Sequence, residues 1–188
     1  MKKHEDVDID IMGRVESSLL DHSIHFLVGE IAEENITECI KWIVYENLNS
    51  KADKVLTIYI NSTGGDLYQA LGLIDAMRNS QLPIRTIGIG SIMSAAFLIF
   101  TCGTPGERYV SKHTGIMCHQ FSGTSEGKYH DIKAEMKEND RLNQTMYDIL
   151  KSVSGLDGRI IKTKLLPPSD VYLTAKEMVD LNLADHIL

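Results

Sequence analysis

Strand-like and helix-like stretches alternate along this chain, and that alternation restricts the fold more than any single motif does. The β-branched run Val55-Leu56-Thr57-Ile58-Tyr59-Ile60 stops abruptly at the turn-rich Asn61-Ser62-Thr63-Gly64-Gly65. An apolar face at Leu67, Ala70, Leu71, Ile74 and Met77 follows at helical spacing until Asn79. Pro83 then introduces a second strand, Ile84 to Ile89. Upstream, His25-Phe26-Leu27-Val28-Gly29 reads as a short strand, and Ile36, Ile40, Ile43 and Val44 mark the helix after it.

Downstream, the nearly all-apolar segment from Ile92 to Phe100 predicts a buried central helix, stopped by Thr101-Cys102-Gly103-Thr104-Pro105-Gly106. Gly115 to His119 predicts another strand, which runs into Phe121-Ser122-Gly123-Thr124-Ser125-Glu126-Gly127. A long helix with apolar marks at Leu142, Met146, Ile149, Leu150 and Val153 comes next. Its polar first half fits either an element that contacts another subunit or a solvated surface helix. Thr174-Ala175-Lys176-Glu177 has the spacing of a capping box, and Ala184 to Leu188 predicts a last short strand. The expectation is an α/β fold with parallel strands packed between helices and chemistry at the strand ends. Residues 1–23 form an acidic arm with a short helix, and residues 24–188 a single domain.

Composition narrows the function. With 43% hydrophobic and 24% charged residues among 188, the chain is an ordinary globular one rather than disordered or fibrous. Nineteen Lys and Arg against 26 Asp and Glu give a net charge of −7, the wrong sign for a phosphate-backbone partner, so nucleic acid is not expected. Cys39, Cys102 and Cys118 form no CxxC pair and are odd in number, which suits buried thiols in a reducing, cytoplasmic setting. No apolar signal segment follows Met1-Lys2-Lys3-His4-Glu5-Asp6, and Ile92 to Cys102 is too short to span a bilayer, so no membrane association is expected.

Several motifs fail. Gly88-Ile89-Gly90 begins a dinucleotide fingerprint, but Met93 stands where its third glycine belongs. The segment Gly123 to Lys128 lacks both the spacing and the Ser or Thr of a phosphate-binding loop, Tyr129 occupying that place. There is no HExxH and the seven histidines are scattered. Neither a nucleotide, another cofactor nor a metal is therefore expected in this chain.

Four places could carry chemistry. Ser94, at the start of the apolar helix, sits where unpaired N–H groups and the helix dipole favour a developing anion, although an N-cap or packing serine would look the same. Gly64-Gly65 lets a carbonyl approach the backbone, or is simply a tight turn. His119 closes a strand beside a glycine-containing segment, as a base or as a core histidine. Asp170, after Pro167-Pro168-Ser169 and before Val171-Tyr172-Leu173, reads by itself as a turn or cap residue.

Taken together, five blocks resemble one family in order and separation. They are Phe26-Leu27-Val28-Gly29-Glu30-Ile31, Ile58-Tyr59-Ile60-Asn61-Ser62-Thr63-Gly64-Gly65, Gly90-Ser91-Ile92-Met93-Ser94-Ala95-Ala96, Met117-Cys118-His119-Gln120 and Asp170-Val171-Tyr172-Leu173-Thr174-Ala175. They resemble the proteolytic subunit of the Clp protease (ClpP), from about residue 20 to the C-terminus. The resemblance implies a ClpP/crotonase-like superhelix of strand–helix repeats with a protruding helical handle at about residues 120–152, and an N-terminal axial loop.

It also implies roles. Ser94 would be the nucleophile, His119 the general base and then acid, and Asp170 the group that orients the imidazole. The N–H groups of Gly65 and Ala95 would form the oxyanion hole, and an extended substrate would pair with Gly65-Asp66-Leu67 and Gln120-Phe121-Ser122-Gly123. The implied activity is that of a serine endopeptidase, two stacked heptamers that degrade unfolded polypeptides delivered by a hexameric AAA+ unfoldase, which spends the ATP. Thr63, Ala95 and Ala96 depart from the proline, methionine and glycine usual in the family. A crotonase-like acyl-CoA enzyme, which shares the fold and the oxyanion-holding amides, and a catalytically silent ring subunit are the alternatives.

Overall fold

Each buried β-branched run becomes a strand in the computed structural model, which describes residues 11–49 and 54–188. The first half of the chain contains α1 (Ile11–Asp21), β1 (Ile24–Val28), α2 (Glu33–Asn49), β2 (Leu56–Ser62), α3 (Leu67–Arg78), β3 (Ile84–Met93) and α4 (Ala95–Thr101). The second contains β4 (Arg108–Val110), β5 (Gly115–Cys118), α5 (Tyr129–Ser154), α6 (Gly158–Ile160), β6 (Val171–Leu173), α7 (Ala175–Asp180) and β7 (His186–Ile187). A π-helical turn, Ile161–Leu165, continues α6. Of the N-terminal arm, the short helix is α1; the first ten residues lie outside the described part.

The strands lie in the order β1-β2-β3-β4-β7, all parallel, as the alternation predicts. β3 changes partner along its length. Its first half pairs with β2 and β4, and its last residues, Ser91 to Met93, pair with β5. The change occurs at a bulge, where the β2–β3 register jumps from Ile60↔Gly88 to Ser62↔Ile92. The Asn61 side chain bridges the gap by accepting hydrogen bonds from the Ser91 N–H (3.0 Å) and hydroxyl (3.2 Å). This corrects the sequence reading at one place. Ile92 and Met93 extend the strand, and the helix begins only at Ala95, because a buried strand end and a buried helix are equally apolar and leave no break in the pattern. β6 is the exception to the parallel order, pairing antiparallel with β5.

Helices cover one face of the sheet. There Leu27, Ile58, Ile60 and Val110 are fully buried, and every residue of α4 is buried. On the other face Phe26, Tyr59, Ile87, Tyr109 and His186 stand side by side in register across five strands, with Phe26 stacked on Tyr59 and Tyr109 on His186. Among the described residues no helix is long and apolar enough to cross a membrane.

Two termini follow local rules. Thr174 and Glu177 form the predicted capping box, and α5 ends at Gly155 in the left-handed conformation, φ 69°. In α5, Leu142, Met146, Ile149, Leu150 and Ser154 are buried, whereas the first half projects from the domain as the expected handle. Regular structure is absent from Gln120 to Gly127.

A buried ion pair ties the C-terminus to the sheet. Arg108, 2% exposed, reaches Asp185 through Nη2 (2.7 Å) and Nε (2.9 Å), and its remaining donors meet the Asn182 backbone and side-chain oxygens. Burial works against the Asp185 charge, but hydrogen bonds from Arg108 and the Gly106 N–H outweigh it and hold the carboxyl below its ordinary range. A depressed carboxyl stabilises the fold above its unfolded pKa of about 4 and loses that contribution as pH falls through the folded value. Replacing Arg108 by Met strands the carboxylate and should cost about 3–5 kcal/mol at neutral pH. Urea unfolding at pH 7 and in steps down to pH 3 checks this: the gap between the two proteins should narrow in acid, as Asp185 becomes protonated.

Candidate active site

Three strands converge at one end of the sheet. β3 and β5 run parallel with Met93 opposite Met117, so Ser94 and His119 leave the sheet side by side. β6 runs the other way with Val171 opposite Cys118, so the preceding residue, Asp170, falls opposite His119. Residues far apart in the chain thus meet because of register alone.

Ser94 occupies the sharp junction between β3 and α4 with φ 54° and ψ −123°, a conformation rare outside glycine. Its N–H donates to the Met117 carbonyl (2.9 Å) and its carbonyl accepts from the Phe97 N–H (3.0 Å), so the junction is held from both sides. The hydroxyl lies 2.7 Å from His119 Nε2, a well-formed hydrogen bond. On the other side of the ring, His119 Nδ1 stands 3.8 Å from Asp170 Oδ1, beyond hydrogen-bond length. The His119 side chain is 18% exposed and that of Asp170 54%.

The glycine pair lies against this junction. A Cβ on Gly64, whose φ is 103°, would stand 2.6 Å from Ser94 Cβ and 2.9 Å from the Met93 carbonyl, and one on Gly65 would stand 2.3 Å from the Ile31 carbonyl. Ile31 N–H donates to the Gly64 carbonyl and Asp66 N–H donates to the Ile31 carbonyl, both at 2.8 Å. These bonds flank Gly65 and leave its own N–H turned away from Ile31. Ala95 is the first residue of α4, so its N–H has no partner within the helix. Gly65, Leu67, Ser94, Ala95, His119 and Phe121 line one cleft of about 50 Å³.

Not every expected residue faces that cleft with free groups. Asp66 caps α3, its carboxylate accepting from Tyr68 N–H (2.7 Å) and Gln69 N–H (3.1 Å), and its backbone N–H and carbonyl are also bonded within the chain. Gln120 donates through Nε2 to the Leu166 carbonyl (2.8 Å), and the Phe121 N–H donates to Asn143 Oδ1 (2.7 Å). The first two hold the walls in place, while Leu67 and Phe121 present apolar surface. Met146 and Ser122 also line the cleft. Met146 and Asn143 lie on α5, where the helical periodicity marked Met146 only as core and gave Asn143 no signal at all.

The thiols stay out of the chemistry. Cys118 is beside His119 but buried, and burial pushes it up to about 12, as it does Cys39. Cys102 is pushed up to about 11, again chiefly by burial.

Comparison with known proteins bears on the same architecture. The ATP-dependent Clp protease proteolytic subunit 1 of Prochlorococcus marinus (strain MIT 9312) is 30% identical to this chain, the match covering 92% of the chain and 87% of the relative. The ATP-dependent Clp protease proteolytic subunit 2 of Mycobacterium tuberculosis (strain CDC 1551 / Oshkosh) is 28% identical, over 92% of the chain and 80% of the relative. The family described as Clp protease matches residues 6–188. A match of that extent takes in the whole described fold, handle and cleft included: the chain belongs to the Clp protease family.

Proposed function

We propose that this chain is the proteolytic subunit of an ATP-dependent Clp protease, a serine endopeptidase that cleaves unfolded polypeptides inside an oligomeric barrel. The 2.7 Å contact between Ser94 Oγ and His119 Nε2 carries the reading, since a serine becomes nucleophilic only beside a base that can take its proton. Membership of the family and the proteolytic names of its relatives support the peptidase over an acyl-CoA enzyme or a silent subunit.

The reaction runs as acyl transfer. Ser94 Oγ bonds to the scissile carbonyl carbon while its proton moves to His119 Nε2, and the carbonyl oxygen takes up negative charge facing the Gly65 and Ala95 amides. His119 returns the proton to the leaving nitrogen as the C–N bond breaks. Water then attacks the ester by the same steps in reverse, freeing Ser94. Asp170 serves the imidazole: with Nδ1–H turned toward the carboxylate, Nε2 keeps its lone pair for the hydroxyl, and the cation that forms is stabilised. Closing 3.8 Å to a hydrogen bond needs only a small shift of an exposed side chain, and such contacts are often long before substrate binds.

The chain itself needs no cofactor for this chemistry. The relatives' names support a Clp ATPase as partner and assembly into a larger particle. We assign the projecting half of α5 to the contact between two stacked heptamers, the N-terminal arm to the pore facing a AAA+ unfoldase, and the cytoplasm as the setting.

A fluorophosphonate probe should label the wild-type protein and leave Ser94→Ala unlabelled, and Ser94→Ala should lower kcat on a fluorogenic peptide by roughly 10⁵- to 10⁶-fold. Labelling that persists in the variant would remove Ser94 from the mechanism. Gly64→Ala should leave the fold assembled, judged by circular dichroism and particle size, yet lower kcat by about 100-fold, because the new Cβ displaces the Ser94 junction.

A further inference from the structure

We propose that Asn35, in the first turn of α2, is a positioning residue for the oxyanion hole: its side-chain amide heads a line of aligned peptide groups that ends on the Gly65 N–H. The proposal rests on the peptidase reading, in which that N–H meets the oxygen of the attacked carbonyl, and it names a residue on which the meeting depends.

The glycine pair has little support of its own. The β1–β2 ladder ends at Val28↔Asn61, and beyond it the two segments meet once more, in the single parallel bridge Ile31↔Gly65. That bridge consists of two hydrogen bonds, from Ile31 N–H to the Gly64 carbonyl and from Asp66 N–H to the Ile31 carbonyl, both at 2.8 Å. The Ile31 side chain, 1% exposed, fixes where this turn sits. It does not fix how the two peptide groups beside it are rotated.

The Asn35 side chain does. Its Nδ2 donates to the Glu30 carbonyl (2.8 Å) and the Val28 carbonyl (3.3 Å), and its Oδ1 accepts from the Ala32 N–H (3.1 Å). The Glu30 carbonyl and the Ile31 N–H belong to one planar peptide group, and the Ile31 carbonyl and the Ala32 N–H to the next. Asn35 therefore holds, from the far side, the same two groups that grip the chain around Gly65. The side-chain amide, Ile31 and Gly65 form three successive rungs, and the Gly65 N–H faces outward from the third.

Direction matters as much as position. Asn35 Nδ2–H points to the Glu30 oxygen, the N–H of that peptide group to the Gly64 oxygen, and the N–H of the Gly64–Gly65 group to the developing anion. Every dipole in the line has the same sense, so each bond polarises the next and the last donor is both aimed and strengthened. The reverse orientation of the amide would set Oδ1 against two carbonyl oxygens and Nδ2 against an N–H.

A plainer role for Asn35 is to cap α2, because Ala32, the residue before the helix, has no polar side chain. The two roles use different atoms. A cap needs only the acceptor, and the line to Gly65 needs the donor. Asn35→Asp separates them: it keeps the acceptor and adds a charge that a helix N-terminus favours, but it turns an oxygen toward the Glu30 carbonyl.

The test compares assembled wild type, Asn35→Asp and Asn35→Ala, using a fluorogenic peptide for kcat and KM and two inhibitors, a peptidyl trifluoromethyl ketone and the carbinol of the same peptide. The ketone carbon bonds to Ser94 Oγ and leaves an oxyanion in the hole; the carbinol has a similar shape and cannot. Wild type should bind the ketone about 100-fold more tightly or better. Both variants should lower kcat by about 10-fold with KM within about 2-fold of wild type, and should lower the preference for ketone over carbinol by about 10-fold. Asn35→Asp decides the matter if Asn35→Ala does not assemble. Wild-type kcat and preference in either assembled variant overturn the proposal, and in Asn35→Asp they leave Asn35 a cap alone. A loss that falls equally on ketone and carbinol overturns it too, being a general loosening of the site. A wild-type protein that binds the two inhibitors alike, or whose Ser94 takes no fluorophosphonate, defeats the peptidase reading itself, and the proposal with it.

Discussion

The backbone of Ser94 is the constraint on which the rest of the site depends. A non-glycine residue at φ 54° costs about 1–3 kcal/mol, and it persists only where its surroundings over-determine it. Here they do. The Met117 carbonyl holds the N–H, the first turn of α4 holds the carbonyl, and Gly64 fits so closely that a Cβ in its place would push the junction aside. The bulge in β3 comes first in this sequence of causes. By shifting the strand's last residues from β2 toward β5, it puts Met93 opposite Met117, and only that pairing brings Ser94 to His119.

Much of the fold was legible because most of its strands are buried in a parallel sheet and most of its helices are amphipathic, two patterns that sequence periodicity separates well. What escaped was short or buried on all sides. β4 begins with Arg108, a residue that looks like loop until Asp185, 77 positions later, neutralises it in the core. β6 has three residues, and the π-helical turn after α6 has no periodic signature. The start of α4 was misplaced for the reason that makes it central: strand end, junction and helix are all apolar.

The candidate site was legible only as a set. Ser94, His119 and Asp170 each had a bland reading, and spacing in one sequence cannot bring residues 94, 119 and 170 together; sheet register does. The structure redistributes the other roles. Asp66 keeps its polar groups for the chain, Gln120 secures the neighbouring turn, and the cleft acquires Met146 and, through Phe121, Asn143 from a helix whose sequence pattern pointed outward.

That helix serves two surroundings. Its second half lies in the core, while its first half is fastened to α3 through Glu138, which accepts from Tyr68 Oη (2.6 Å) and Arg141 Nε (2.8 Å). Hydrogen bonds from Arg141 and then Tyr68 hold the Glu138 carboxyl at about 2, so the link keeps its charge across the neutral range.

The third polar partner is mounted differently from the first two. Ser94 and His119 hang from adjoining parallel strands, whereas Asp170 rides at the edge of a three-residue antiparallel ribbon with half its side chain in water. Serine and histidine are therefore held by the sheet itself, and the carboxylate by its edge. In the proposed mechanism a small slide of that ribbon would change the tilt of the imidazole while the Gly65 and Ala95 amides stayed where they are, so the adjustment of the site would rest on a strand of three residues.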